Sequence, residues 1–260
     1  TTSPTRAPMT SSPTNTPTSS PTSSPTVSPT SSPTSSPTGP TGAPTLNPTD
    51  AECVFVPLLL PTGTSDFKNS VAIVGDTLVV GSGQHEGAYV FKRYSPGAWE
   101  YIQFLSALDG NKGDWFPKSI ALDGDTLLIG ASNFGAFNVG VTYVFISKGG
   151  LWVEKQMLMA TDGKANIYFG YSVAIRGDML VVGAIGDQDR GRYTGAAYIF
   201  SLQNDKWIQT DKLMALDGAE WDQFGCSVAV SPGLVAVGAL YQDEGENYAG
   251  AVYIYTPDTS

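Results

Sequence analysis

The segment at positions 169–184, FGYSVAIRGDMLVVGA, decides the fold of this chain. Two runs rich in Val, Ile and Leu flank Gly177-Asp178, and these two residue types suit a short hairpin turn that needs positive φ angles. Neither run repeats its apolar residues every three to four positions, as an amphipathic helix would. The segment therefore predicts a pair of antiparallel β-strands.

The same pattern occurs four times along the chain. The copies begin at Phe67, Phe116, Phe169 and Phe224, at intervals of 49 to 55 residues. Each copy continues into a third β-rich run with the pattern Tyr-Val-Phe or a close variant, and the first three copies add a fourth run that begins with tryptophan. Four short β-runs in a repeat of this length are typical of one blade of a β-propeller.

Apolar residues occupy consecutive positions in these runs, as at Val79-Val80 and Val181-Val182. A sheet with one face in water would alternate apolar and polar residues, whereas a sheet packed between two neighbouring sheets is apolar on both faces. We therefore predict an all-β fold, a β-propeller with four visible four-stranded blades.

The repeats also set the predicted domain boundaries. They are 67–115, 116–168, 169–223 and 224–260. The last copy lacks the tryptophan-led run, and the β-rich stretch 53–60 has the character of that missing outer strand. We expect 53–60 to complete the last blade, within a propeller domain that spans 51–260. Closure of four blades into a ring and an arc of a larger ring are both compatible with this pattern.

Residues 1–50 have a different composition, with 12 Pro, 15 Thr and 12 Ser. Proline disfavours helix interiors and sheet ladders because it lacks the backbone N–H, and the segment has almost no apolar side chains to bury. We predict a disordered, low-complexity stalk or linker. Its composition is that of O-glycosylated stalks of glycoproteins, and an unmodified linker is the alternative.

Charge and composition exclude several classes of function. The chain has 14 Lys and Arg against 24 Asp and Glu, so its net charge is −10, and we expect no nucleic-acid binding. No apolar run reaches the length of a transmembrane segment. The single histidine, His85, makes a Ser-His-Asp hydrolase improbable. We expect that the protein is not an enzyme, and a propeller glycosidase is the least favoured alternative.

At the level of motifs, the repeats resemble the FG-GAP repeats of integrin α subunits, over about residues 53–256. The residues that carry the resemblance are Phe169, Gly170, Gly183, Ala184, Phe224, Gly225, Gly238 and Ala239. The first two copies depart from it, because Lys68 and Pro117 stand where the motif has glycine. The resemblance implies extracellular or cell-surface display and a role in cell adhesion or recognition, with an export signal outside this sequence.

The resemblance also raises the question of calcium. Integrin-type blades carry an aspartate-rich calcium loop between their first two strands, whereas here those loops are short and hold at most two acids. We therefore expect no required cofactor and no integrin-type calcium loop. Ca²⁺ remains possible at Asp187 and Asp189, with an ordinary solvated loop as the alternative.

The candidate binding residues lie in the loops after each second and fourth strand, which open on the same face of a propeller. These acidic and aromatic residues are Asp109, Asp114, Trp115, Asp162, Asp217, Glu220, Trp221, Asp222, Asp243 and Glu244. Such a face suits an extracellular protein or a glycan. The alternatives are that the acids only keep the protein soluble, and that the chain is a structural spacer of a larger matrix or wall protein.

Two cysteines, Cys53 and Cys226, are present. The blade assignment puts them farther apart than the roughly 7 Å between Cα atoms that a disulfide tolerates. We therefore expect free thiols or partners outside this chain.

Overall fold

The computed structural model describes Leu58 and residues 67–83, 87–242 and 249–256. The predicted stalk at 1–50 and the predicted strand at 53–60, apart from Leu58, lie outside the described residues, as do Asp243 and Glu244. Throughout the described residues, the regular secondary structure consists of β-strands.

Fifteen strands form four sheets within these residues, one for each sequence repeat. Blade 1 contains β1 (Phe67–Val74), β2 (Thr77–Ser82), β3 (Gly87–Ser95) and β4 (Ala98–Leu105). Blade 2 contains β5 (Ser119–Asp123), β6 (Thr126–Ala131), β7 (Val141–Lys148) and β8 (Leu151–Leu158). Blade 3 contains β9 (Phe169–Arg176), β10 (Met179–Ala184), β11 (Ala196–Gln203) and β12 (Lys206–Leu213). Blade 4 contains β13 (Phe224–Ser231), β14 (Leu234–Ala239) and β15 (Ala251–Tyr255).

Each sheet is an antiparallel meander whose strands pair in chain order. The first two strands of a blade are joined by a tight turn, so that Arg176 pairs with Met179 across Gly177-Asp178. The predictions of an all-β fold and of a propeller built from four blades are confirmed. The fourth strand of the last blade stays a prediction, because most of 53–60 is not among the described residues.

The hydrophobic core lies between successive blades. Between blades 2 and 3, Leu128 and Val144 pack against Phe169, Tyr198 and Phe200, and all five side chains are buried. Equivalent positions form the clusters between blades 1 and 2 and between blades 3 and 4. Because blades 2 and 3 bury both faces, their strands need the consecutive apolar residues seen in the sequence.

The inner strands of neighbouring blades are joined through the serine and glycines of the repeat motif. Ser119 donates a hydrogen bond from Oγ to the carbonyl oxygen of Gly170 at 2.9 Å, and Ser172 does the same to Gly225 at 2.8 Å. Gly170 and Gly225 have φ angles of 88° and 90°, which favour glycine. Gly183 faces the Gly225 carbonyl so closely that a Cβ atom would overlap it. The motif is therefore an inter-blade joint.

The outer strands are joined by a second repeated contact. The side-chain amide of Gln103 in β4 donates to the Trp152 carbonyl at 2.9 Å and accepts from the Trp152 backbone N–H at 2.8 Å. Gln156 in β8 makes the same pair of bonds to Trp207, at 2.8 and 2.9 Å. The tryptophan-led strands of blades 2 and 3 are thus each held to the blade before them.

Candidate functional site at the loop edge

We call the loop edge the end of the blades that carries the loops after each second and each fourth strand. In blade 2 the two loops are joined by a backbone hydrogen bond from the Asn166 N–H to the Phe137 carbonyl at 2.6 Å. In blade 3 the equivalent bond runs from Trp221 to Arg192 at 2.8 Å. The loops of the edge therefore support one another instead of standing free in solvent.

Five aromatic residues of this edge have left-handed backbone conformations: Trp115, Phe137, Tyr168, Tyr193 and Trp221. The φ angles are 57° for Trp115, 56° for Tyr168 and 76° for Trp221. Residues other than glycine adopt such angles at a cost of about 1 kcal/mol or more, so the surrounding contacts must impose them. The result is that these side chains leave the loops in defined directions.

Three of the predicted binding acids are engaged by tyrosines of the following blade. Asp109 accepts a hydrogen bond from the Tyr143 hydroxyl at 2.7 Å, and Asp162 accepts one from Tyr198 at 3.0 Å. Asp217 accepts the equivalent bond from Tyr253 at 2.9 Å. Burial, followed by the bond to Asp109, raises the pKa of Tyr143 far above its ordinary value, so this tyrosine remains a donor. The three aspartates therefore contribute to the junctions between blades.

Asp114 and Asp222 form hydrogen bonds within their own loops. Each is buried, and each accepts a hydrogen bond from a backbone N–H three residues earlier, at Asn111 (2.6 Å) and Ala219 (2.7 Å). A buried carboxylate that closes a turn in this way stabilises the loop conformation. Glu220, another of the predicted acids, is exposed at the loop edge.

Large apolar side chains are exposed along the same edge. They are Leu108, Trp115, Phe137, Leu216, Trp221, Leu240 and Tyr241. Leu108 and Leu216 occupy the same position of their repeats, directly before the Asp-Gly pair, and both are more than 80% exposed. Sequence reasoning selected Trp115 and Trp221 but missed the leucines, although their position before Asp-Gly is visible in the repeats.

An ordered group of rings surrounds Trp221. Its indole stacks on Tyr193 with a centroid distance of 4.8 Å and an interplanar angle of 7°, and the Arg192 guanidinium lies 4.7 Å from the indole centroid. The ring centroid of Tyr168, on the neighbouring loop, lies 6.2 Å from that of Tyr193. Arg192 and Tyr193 were also missed by sequence reasoning, because nothing local in the chain pairs them with Trp221.

The two acids proposed for calcium lie in a lysine-centred cluster. The Nζ atom of Lys212 is 2.6 Å from a carboxylate oxygen of each of Asp162, Asp187 and Asp189. Asp187 is fully buried, and Lys164 also pairs with Asp189. The three carboxylates have metal-ligand spacing, but Lys212 supplies the positive charge that a cation would bring. Calcium binding at Asp187 and Asp189 stays a prediction.

A groove of about 310 Å³ separates the outer strands of blades 1 and 2, and Glu154 lies in its lining beside Gln103 and Trp152. Burial, followed by the negative charge of Asp109, raises the pKa of Glu154 above its ordinary value. The Oε2 atom of Glu154 is buried without a hydrogen-bond partner among the described residues. The carboxyl of Asp109 is already bound to Tyr143, so the groove lacks a free second carboxylate at that position.

Cys226 is a free thiol, with Sγ 3.4 Å from the carbonyl oxygen of Gly238, while Cys53 lies outside the described residues. No helix long and apolar enough to cross a membrane occurs among the residues described.

The fold is similar to a solved structure of a candidate 6-phosphogluconolactonase from Bacteroides uniformis ATCC 8492. The two share 9% sequence identity and a TM-score of 0.52, over 74% of this chain and 50% of that chain. The chain thus spans about half the length of the propeller that it matches. At this identity the likeness concerns the fold alone.

A family model described as the FG-GAP repeat matches residues 99–145, 152–200 and 207–255. Each match begins with the tryptophan of one blade's fourth strand and ends in the third strand of the next blade, so each spans one junction. The resemblance found in the sequence is confirmed. Because the three matches together cover more than half of its length, the chain belongs to the FG-GAP repeat family.

Proposed function

We propose that this protein is a non-catalytic recognition module that binds a protein partner outside the cell through its loop edge. The observation that carries the proposal is the row of exposed apolar side chains on that edge, including Leu108, Phe137 and Leu216. Soluble proteins seldom expose such a group on one surface unless it meets a partner. An extracellular location is supported by family membership, since FG-GAP repeats are typical of extracellular proteins.

The residue types favour a protein partner over a glycan. Tryptophan, tyrosine and arginine dominate the energetics of protein interfaces, and Trp221, Tyr193 and Arg192 form one ordered group. Leu108 and Leu216 add aliphatic surface, which fills protein pockets and does not stack on sugar rings. A glycan stacked on the exposed Trp115 ring is the second candidate. The net charge of −10 favours a basic partner in either case.

We expect no catalytic turnover. Asp109, Asp162 and Asp217 hold tyrosines of the next blade, and Asp114 and Asp222 close turns, so most of the candidate acids already have structural partners. A glycosidase would need two carboxyl groups facing a substrate across a cleft. Glycoside turnover that is lost in Glu154→Gln would contradict this expectation.

The proposal is tested by binding to arrays of extracellular proteins and of glycans at physiological salt. A double variant, Leu216→Ala with Trp221→Ala, should weaken the specific protein signal by about tenfold or more. The matched control is Leu151→Ala with Tyr94→Ala, which removes an exposed leucine and an exposed aromatic ring near the turns of the opposite edge. Equal signals for the two double variants would exclude the loop edge. Absence of any specific signal on either array would favour the structural spacer.

A further inference from the structure

The last blade has an open face. Ile254 in β15 is 63% exposed, whereas Ile199, its equivalent in β11 of blade 3, is 4% exposed because blade 4 covers it. Val252, the other residue of β15 on this face, is also exposed. The chemistry of the face is therefore that of an inter-blade joint that lacks its second half.

A groove of about 450 Å³ lies on this face, lined by Cys226, Ser227, Gly238 and Val252 among others. Ser227 and Gly238 repeat the serine and glycine of the joint in blade 3, Ser172 and Gly183. In that joint the space beside the glycine is filled by the Gly225 carbonyl of the next blade. The three atoms nearest to a methyl group added at Gly238 instead belong to Ser227 and Cys226, which are in the same blade. The groove thus lies at the position that the backbone of the following blade occupies in the joint between blades 3 and 4.

Blade 1, at the other end of the four blades, also has an exposed apolar face. Val71 in β1 is 64% exposed, while its equivalent in blade 2, Ile120, is 8% exposed. Leu58 packs against Leu78, Tyr89 and Phe91 of blade 1. Counting back from the glycine that follows, Leu58 aligns with Leu105, which packs against blade 2 from the fourth strand of blade 1.

Leu58 therefore occupies the place of a fourth strand, and the described residues do not include the other three strands of that blade beside blade 1. Blade 4 has the complementary set of strands, because its described strands are the first three of a blade: β13, β14 and β15. A three-stranded blade at one end and a fourth-strand position at the other are complementary parts of one blade.

We propose that two copies of this chain associate head to tail, with the open face of blade 4 in each copy packed against blade 1 of the other. Leu58 of one copy then lies in the fourth-strand position of its partner's blade 4. Two identical heterologous contacts of this kind close a ring. The comparison supports two copies by length, because this chain matches 50% of a solved chain of similar fold.

The joint between blades 1 and 2 shows that such a contact does not need the motif glycine. Blade 2 has Pro117 at that position, and there Ser70 of blade 1 accepts a hydrogen bond from the Ile120 N–H at 2.8 Å. Blade 1 has Lys68 at the same position. In the proposed contact Ser227 takes the role of Ser70 and accepts from the backbone N–H of Val71.

Light scattering coupled to size exclusion measures the mass of the full chain across the micromolar range. We expect twice the 27.4 kDa of one chain. Ile254→Asp should weaken the association by about tenfold or more, because it puts a charge into the apolar contact. The control Leu151→Asp also replaces an exposed aliphatic residue by aspartate, at the start of β8, and should leave the dimer unchanged.

Complementation identifies the head-to-tail arrangement. Ile254→Lys and Val71→Asp should each be monomeric, and their mixture should form a heterodimer with one unchanged joint and one Lys–Asp joint. Circular dichroism of each variant checks that it folds. A wild-type mass of one chain throughout, whether from closure by its own 53–60 segment or from a free arc, would overturn the proposal. So would a dimer that both single variants leave intact.

Discussion

The hydroxyl of Ser172 in blade 3 donates a 2.8 Å hydrogen bond to the carbonyl oxygen of Gly225 in blade 4. Gly183, on the strand beside Ser172, lies against the same carbonyl without room for a Cβ atom. Gly225 itself has a φ of 90°, which turns its carbonyl towards the preceding blade. The Gly225 carbonyl oxygen is thus held between Ser172 and Gly183 of the preceding blade, so the joint leaves no space for a larger residue at position 183.

Gly183→Ala should destabilise the protein by about 3 kcal/mol or more, because the added methyl group overlaps backbone atoms that cannot move without separating two blades. The measurement is the free energy of unfolding from urea denaturation followed by circular dichroism, or the loss of soluble protein if the variant does not fold.

Gly238→Ala is the matched control, since it makes the same change in the same Gly-Ala motif. There the atom nearest to the new methyl group is the side-chain hydroxyl oxygen of Ser227, which can rotate, and none of the three nearest atoms is a backbone carbonyl. In dilute solution the loss of stability should be well below that of Gly183→Ala. Equal losses of unfolding free energy in the two variants would show that the overlap with blade 4 is not what destabilises Gly183→Ala.

Lys212→Met should cost about 3 kcal/mol near neutral pH, because it leaves the buried Asp187 beside two more carboxylates without their common cation. Lys155→Met is the control, since Lys155 pairs with the exposed Asp205 and such surface pairs contribute little. Urea denaturation of the three proteins provides the comparison.

The same variant should change the pH dependence of stability. Burial opposes ionisation of Asp162, but the hydrogen bond and charge of Lys212 prevail and lower the pKa of this carboxyl below its ordinary value. The contribution of this carboxylate to the free energy of unfolding is present above the ordinary pKa of aspartate, and it is lost as the pH falls through the lowered pKa of Asp162. The difference between wild type and Lys212→Met should therefore narrow below about pH 4. A constant difference from neutral to acid pH would contradict this account.

Glu154→Gln should stabilise the protein near neutral pH. Burial and the charge of Asp109 raise the pKa of Glu154, so its ionisation in the folded state opposes folding as the pH rises above the ordinary carboxyl range. The glutamine amide does not ionise, so the variant should have the higher melting temperature near neutral pH. This difference from wild type should vanish near pH 4, where Glu154 is protonated. A gain that persists at that pH would indicate better packing instead.

Tyr198→Phe should flatten the loss of stability in alkali. Burial, then the charges of Asp187 and Asp162, raise the pKa of Tyr198 far above its ordinary value. Its contribution is complete below the unfolded pKa of about 10 and is lost as the pH rises beyond that value. Unfolding free energies from about pH 8 to about pH 11 should fall less steeply in the variant than in the control Tyr94→Phe, whose ring is exposed.

The fold could be predicted because its signals are local and repeated. The hairpin at 169–184 needs only short runs of β-forming residues around Gly177-Asp178, and four copies of it fix the number of blades. The candidate site was harder to predict. The pairing of Asp162 with Tyr198 joins residues 36 positions apart in different blades, so an acid in a loop looked free to bind a ligand. The similar spacing of the three Asp and Tyr pairs, 34 to 36 positions, was a visible signal in the sequence that was not used.

The sequence by itself determined the strands, their turns and the blades, because each of these depends on neighbours within one repeat. Only the tertiary structure decided which copies of a motif are covered. Ser172 and Ser227 stand in nearly identical segments, yet Ser172 is buried and Ser227 is exposed. The difference arises because burial depends on the next sheet in space: blade 4 covers blade 3, and none of the described residues covers the far face of blade 4.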